Sequence, residues 1–329
     1  MQKSQAMRGE DRAPEFSVVI CCYFEEQSLP EFYGRLKASL EGLGRSYEIV
    51  LVNDGSTDGT FQRMRGYFET DTSVRAAIDF FRNSGHAAAI TAGLCECSGK
   101  NLVLIDSDLQ LDPEDLTHLV STFDQGFDVV SGKRLQRNDA LWRRWGSVVH
   151  NMLVRHKTGL PFTDFGCTFK IINADLVRAF GYGPFNPVRQ VATLCQASRV
   201  CEVPVAHHPR KYGRSGWTLI KFAGYININL LPDLAKPLRW GGTCALAFAV
   251  LFTAHAVAQW QIPFGDTASI PMHTILGMLT TELLATLGSL FILASMMLSR
   301  TSRPRDTPAY IIREALRRDN SDKPEETLQ

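Results

Sequence analysis

The sequence predicts an α/β fold, a mostly parallel sheet with helices on both faces, followed by interfacial helices and a two-helix transmembrane hairpin. Three observations carry that expectation. Strand-length apolar runs alternate with amphipathic stretches through the first half of the chain, acidic clusters follow two of those runs, and no Lys or Arg occurs between Trp240 and Ser299. Alternation of this kind covers both faces of a parallel sheet with helices. In such sheets ligands bind beyond the carboxyl ends of the strands, where the acidic clusters fall.

The first strand is FSVVICCY (16–23), apolar and β-branched. An amphipathic stretch (28–43) follows, with Leu29, Phe32, Leu36 and Leu40 on one helical face. The strand YEIVLVND, a helix over TFQRMRGYF, a strand at AAIDFF, a helix from about Ala87 to Cys97 and the strand NLVLIDSD continue the pattern. After DVVSGKR (128–134) the alternation weakens into a basic helix-like segment (140–156), the loop PFTDFGCTFK and the strand VCEVPV. Residues 217–240 mix aromatics, Leu and Ile with Lys221, Lys236 and Arg239, the composition of helices lying in a membrane interface, broken by Pro232 and Pro237. Residues 241–260 and 275–298 are each close to the ~20 apolar residues that cross a hydrocarbon core. Their connector carries no Lys or Arg, whereas Arg300, Arg303, Arg305, Arg313, Arg317 and Arg318 follow the second span, so the positive-inside rule puts both ends in the cytoplasm.

Composition narrows the function classes. At 329 residues the chain supports a sizeable core, and a net charge of +1 gives no overall field for nucleic acid. The 8 cysteines show no CxxC spacing and read as reduced, mostly buried thiols. The polar stretch 1–15 has no apolar core of a secretory signal and reads as a flexible N-terminus, which keeps the soluble part in the cytosol.

Asp106 and Asp108, two apart at a strand end with Gln110 two further on, form an all-oxygen set suited to a hard divalent cation such as Mg²⁺ or Mn²⁺. Taken alone, the segment reads first as a polar strand-to-helix turn with Asp112-Pro113 capping the next helix; its context favours the cation. Asp54, Gly55 and Ser56 make a tight turn after a buried strand, with Asp58 placed to cap the helix beginning near Thr60.

In order and spacing, YFEEQSLPEF, VNDGSTDGT, FFRNSGHAAAITAGL and DSDLQLDPEDL resemble a family 2 glycosyltransferase of the GT-A fold. GKRLQRND, TDFGCTFK, VPVAHHPRKYGRS and the terminal hairpin resemble its polyprenyl-phosphate branch, which includes dolichol-phosphate mannose synthase and bacterial undecaprenyl-phosphate sugar transferases. The resemblance spans Phe16 to about Leu316 and implies a catalytic domain over 16–216, interfacial helices over 217–240, the hairpin over 241–298 and a cytoplasmic basic tail over 299–329. It implies that Glu25 and Asp54 hold the ribose and base of a nucleotide-sugar, with Arg82 and Asn83 near the nucleotide. Asp106, Asp108 and Gln110 would hold the metal on the diphosphate. Arg134, Arg137, Arg210 and Ser215 would face the acceptor phosphate or the diphosphate, and Asp164 would be the nearest candidate for a base, or would orient Lys170 or the donor sugar. Three positions depart from the usual pattern: Phe24 replaces Asn, Cys21 replaces Pro, and Gly216 replaces a Lys for which Lys211 or Lys221 would have to compensate.

The implied activity is an inverting, metal-dependent transfer from a nucleotide-sugar, UDP rather than GDP, to a polyprenyl phosphate by a membrane-bound homo-oligomer, a tetramer in many members with this hairpin. The chemistry suits these residue types: a metal stabilises the departing diphosphate, and a phosphate acceptor, already ionised, needs arginines rather than a strong base. Two other readings are a catalytically silent scaffold of the same fold and a processive polysaccharide synthase, the latter disfavoured because WRRW (142–145) is not a QxxRW element. Within the hairpin, Glu282 is expensive facing lipid and is expected to hydrogen-bond to His255, or else to Thr280, Thr281 or a neighbouring subunit.

Overall fold

In the computed structural model the described residues are 13–135, 148, 151–152, 154–156, 158–212, 238–254, 272–301 and 307–318. Aliphatic and β-branched runs form β1 (Phe16–Cys22), β2 (Tyr47–Asn53), β3 (Val74–Phe80) and β4 (Asn101–Asp106), linked by helices α1 (Leu29–Gly42), α2 (Thr60–Thr70) and α3 (His86–Glu96). A short 3₁₀ turn, Pro113–Asp115, leads into α4 (Leu116–Phe123), and β5 (Val129–Arg134), β6 (Lys170–Asn173), β7 (Val200–Val205) and β8 (Ile312–Arg317) complete the strands. All eight lie in one sheet of order β7-β5-β6-β4-β1-β2-β3-β8. Pairing is parallel from β4 through β1 and β2 to β3 and between β5 and β7, and antiparallel where β6 meets β4 and β5 and where β8 meets β3. The sheet is therefore mixed.

The expected helices on both faces are present. Leu29, Phe32, Leu36 and Leu40 of α1, Phe61 and Met64 of α2, and Leu116 and Leu119 of α4 pack on one face. Small residues of α3, Ala88, Ala89 and Ala92, pack on the other against Val50, Val52 and Ile78. A Cβ on Gly93 of α3 would lie 2.4 Å from a methyl of Val19, so that helix sits close because glycine lets it.

The carboxyl ends of the three central strands are level: Cys21 pairs with Asp106 on one side and Cys22 with Asn53 on the other. The chain winds in opposite directions on either side of β1, which makes the crevice beside it the switch point where ligands bind in open α/β sheets.

Two compact units result, Met1–Gly216 together with Arg305–Gln329, and Trp217–Pro304. The segment expected as a basic tail thus contributes β8 to the sheet of the first unit. Tyr310 stacks on Phe80 at 4.9 Å, and Arg317 and Arg313 pair with Glu96 and Asp79. In the second unit the helix Met272–Thr301 contains an apolar window, Leu279–Met296, long enough to cross a membrane, and Leu238–Ala254 is a shorter apolar helix. The remainder of the first expected span, 255–260, lies outside the described residues, as do most of 140–156 and all of 217–237. The two helices touch backbone to backbone: a Cβ on Gly242 would lie 2.7 Å from the carbonyl oxygen of Gly288. Arg239 Nε donates to Ser295 Oγ at 3.3 Å beside that contact. Small residues at such a crossing let helix backbones approach closely.

Candidate active site

Four charged side chains converge at the ends of β1 and β4. Arg210 Nη2 donates to Asp108 Oδ2 at 2.7 Å, and its Nη1 lies 3.6 Å from Glu25 Oε1. Asp106 ends β4, accepts from Thr168 Oγ1 at 2.8 Å and has His86 Nδ1 3.7 Å away. Leu109 takes a left-handed conformation (φ 57°) while buried in the core, and this turn brings the Gln110 N–H back to Asp108 Oδ1 at 3.1 Å. Burial and the neighbouring Asp106 charge push the Asp108 carboxyl above its ordinary range. Burial pushes Glu25 up to about 7 against the opposing pull of Ser28, whose hydroxyl donates to it, and of Arg210.

Arg210 is delivered to this cluster by a strap that follows β7. Ala206 N donates to Asp115, His208 N to the Gln110 carbonyl, and Lys211 Nζ to Glu31, with His208 Nε2 2.7 Å from Asp112. The Gln110 side chain, expected on a metal through its carbonyl oxygen, donates its amide to the His208 carbonyl at 3.4 Å.

Asp54 follows β2 and faces the RNSG loop. Its carboxylate accepts from Asn83 Nδ2 at 2.9 Å, from Ser84 N at 2.6 Å and from Gly85 N at 3.0 Å, so it organises the RNSG loop from within. Gly55 at φ 71° permits the close approach, since a Cβ there would lie 2.3 Å from the Arg82 carbonyl carbon. The Arg82 side chain is exposed on that loop.

Arg134 and Asp164, separately proposed from sequence, form one forked ion pair, Nε to Oδ2 at 2.7 Å and Nη2 to Oδ1 at 2.8 Å, with little exposure of either side chain. Glu202 in turn accepts from the backbone N–H of Thr163 and Asp164. Lys170 is fully buried at the start of β6, its Nζ has no hydrogen-bond partner among the described residues, and burial pulls its amine below the ordinary lysine range. Arg137, Ser215, Gly216 and Lys221 lie outside the described residues.

Sequence reasoning missed Ser28, Thr168 and His86. Ser28 stands one helical turn after Glu25 and Thr168 lies in the TDFGCTFK loop, whereas His86 follows Gly85 at the first position of α3; each was within reach of a local reading.

Residues 17–181, half of the chain, match the sequence family described as Glycosyl transferase family 2. The protein belongs to that family. Within glycosyl transferase family 2, the chain is 37% identical over 244 residues, 70% of each chain, to an undecaprenyl-phosphate 4-deoxy-4-formamido-L-arabinose transferase of Pseudomonas aeruginosa. It is 36% identical over 235 residues, 69% of each chain, to the protein of the same name from Salmonella paratyphi A. It is a glycosyltransferase, similar to polyprenyl-phosphate sugar transferases. Among solved structures, glucosyl-3-phosphoglycerate synthase of Mycobacterium tuberculosis, in complex with Mn²⁺, uridine-diphosphate-glucose and phosphoglyceric acid, superposes with a TM-score of 0.51 at 18% identity, covering 66% of this chain and 79% of that one. A mycobacterial protein superposes with a TM-score of 0.50 at 17% identity, covering 68% and 74%. Both likenesses are of fold: the family 2 glycosyltransferase sheet is of the GT-A kind.

Proposed function

We propose that this enzyme transfers a sugar, with inversion, from a nucleoside-diphosphate sugar, UDP-linked, to an undecaprenyl-type polyprenyl phosphate at the cytoplasmic membrane face. The observation that carries the reading is the convergence of Glu25, Asp106, Asp108 and Arg210 at the switch point of the sheet. The acceptor class is supported by the relatives' names.

Among the described residues no group of three His, Cys, Asp or Glu side chains is placed to hold a metal. Two carboxylates of all-oxygen character suffice for Mg²⁺ or Mn²⁺, which take the rest of their shell from substrate phosphates and water. Asp106 and Asp108 fit that donor set, and the Arg210 guanidinium on Asp108 occupies a position that calls for a cation. A divalent ion bound there supplies charge stabilisation for the departing diphosphate.

The chain's own groups do the rest. Both Asp164 oxygens are engaged by Arg134, an arrangement suited to fixing the arginine rather than to abstracting a proton. An ionised phosphate acceptor needs no such base; it needs forked donors, and Arg210 and Arg134 are assigned to it with Arg137 and Ser215. Lys170 backs this region from the core.

The membrane reading rests on the exposed apolar window Leu279–Met296 and on chain connectivity. Because β8 returns to the sheet that holds β1–β7, any excursion into a bilayer between them crosses it an even number of times, as the proposed two-span hairpin does. Glu282 lines a cavity with Thr253, Thr281 and Ala285 between the two helices; its proposed partner His255 is outside the described residues.

The test is transfer by the full-length protein from a panel of UDP- and GDP-sugars to a short polyprenyl phosphate, with and without EDTA. EDTA-sensitive formation of a lipid-phosphate sugar is expected. Lipid-independent polymer would point to a polysaccharide synthase, and no transfer with any donor to a silent scaffold.

A further inference from the structure

A hydrophobic tip is held out into solvent beside the carboxyl end of β3. Gly183 and Asn186 exchange both backbone hydrogen bonds at 3.0 Å, which leaves Pro184 and Phe185 as the two-residue tip of a tight turn, and Phe185 is 52% exposed. The turn is secured at its base. Asn186 Nδ2 donates to the Phe180 carbonyl at 3.1 Å, Val188 N donates to the buried Thr91 Oγ1 at 2.8 Å, and the Pro184 ring locks its own φ. The exposure of Phe185 is therefore built into the backbone and does not come from a loose loop.

The segment entering β8 joins this tip to two further exposed apolar side chains. Ala309 N donates to the Pro184 carbonyl at 2.6 Å, and two residues on, the Ile311 carbonyl accepts from Phe81 N at 3.1 Å. Phe81, which follows β3, and Ile311 are each 58% exposed. Arg313 holds its guanidinium 5.6 Å from the Phe81 ring centroid, and Arg82 is exposed on the adjoining loop. Contiguous exposed apolar side chains mark an interaction surface, and aromatics interleaved with arginines suit the headgroup layer of an anionic leaflet. Chain connectivity supplies the leaflet: Ala309 follows Thr301, the last residue of the long apolar helix, by eight residues, about 28 Å at full extension. We infer that the Pro184–Phe185 tip, with Phe81 and Ile311, is a membrane-contact edge of the catalytic domain: the apolar side chains enter the headgroup layer, and Arg82 and Arg313 meet anionic lipid phosphate. The inference rests on the membrane reading above and adds to it a lipid contact made by the catalytic domain itself.

The test is photocrosslinking of the full-length protein in vesicles of phosphatidylethanolamine with radiolabelled phosphatidylglycerol. The photoreactive residue p-benzoylphenylalanine replaces Phe185, or Leu287 within the apolar window, or Glu41, which is exposed near the end of α1 where the chain turns back to the start of β2. At Phe185 the replacement exchanges one exposed aromatic ring for another, so the fold is kept, as unchanged melting curves should show. Lipid capture is expected at Leu287 and at Phe185, with capture at Phe185 about tenfold or more above that at Glu41. Capture at Leu287 without capture at Phe185 would overturn the inference and leave the membrane reading standing. A covalent dimer formed through Phe185 in place of a lipid adduct would overturn it in favour of a second copy, and equal capture at Glu41 and Phe185 would overturn it because the contact would not belong to this edge. No capture at Leu287 would overturn the membrane reading, and the inference with it.

Discussion

Glu25→Gln probes the electrostatics of the site without removing its shape. Glu25 is 5% exposed, and burial raises its carboxyl from 4.5 to about 7 despite Ser28 and Arg210. A carboxyl whose folded pKa exceeds its unfolded value binds more protons folded than unfolded between those two values. Stability is therefore fully present below the unfolded pKa and is lost as pH rises towards the folded one. At about 1.4 kcal/mol per pKa unit the interval amounts to about 3 kcal/mol. Gln cannot ionise and loses nothing over the same range. At about 2–4 °C per kcal/mol for a domain of this size, the melting temperature of Glu25→Gln should gain about 6–12 °C on wild type between pH 4.5 and pH 8. The assay is differential scanning fluorimetry in detergent with EDTA and no nucleotide, at half-unit pH steps. Parallel curves would refute the reasoning. Wild type gaining on the variant as pH rises would mean that attraction to Arg210 outweighs burial.

Asp108→Ala should lower the transfer rate by about 100-fold or more, since removing one electrostatic contact where leaving-group charge develops costs about 3 kcal/mol; a wild-type rate in a radiolabelled transfer assay would remove Asp108 from the mechanism. Arg134→Met removes the guanidinium from the buried Asp164 carboxylate and should destabilise the protein by about 3–5 kcal/mol, most of it recovered in Arg134→Met/Asp164→Leu. Thermal melts showing a loss below about 1 kcal/mol in the single variant would class the pair with surface ion pairs. Gly55→Ala combines a left-handed backbone with a Cβ placed 2.3 Å from the Arg82 carbonyl carbon, and should cost about 2–5 kcal/mol and loosen the RNSG loop, read as faster hydrogen exchange at 82–85.

The elements from β1 to β5 could be read directly, because each buries a face of its own periodic apolar residues: Leu29, Phe32, Leu36 and Leu40 mark α1 in the sequence and in the core alike. The Asp106 and Asp108 cluster could be placed too, since a turn that follows a strand stays at that strand's end wherever the strand goes. IREALR could not be read as β8, because charges fill three of its six positions and its order comes from pairing with β3 and from Arg65, Asp79 and Glu96 across the edge.

By itself, then, the sequence determined the family, the alternating α/β core, the acidic strand ends and the apolar helices, all of which depend on residues near one another in the chain. Tertiary structure alone decided the partners. Arg210 reaches Asp108 across 102 positions, Arg134 and Asp164 neutralise each other, and Asp54 turns its carboxylate towards the RNSG loop. The reason is physical: periodicity reports which face of an element is buried, but which charge meets which is set by strand order, and β6 inserts between β4 and β5 in a way no local pattern encodes.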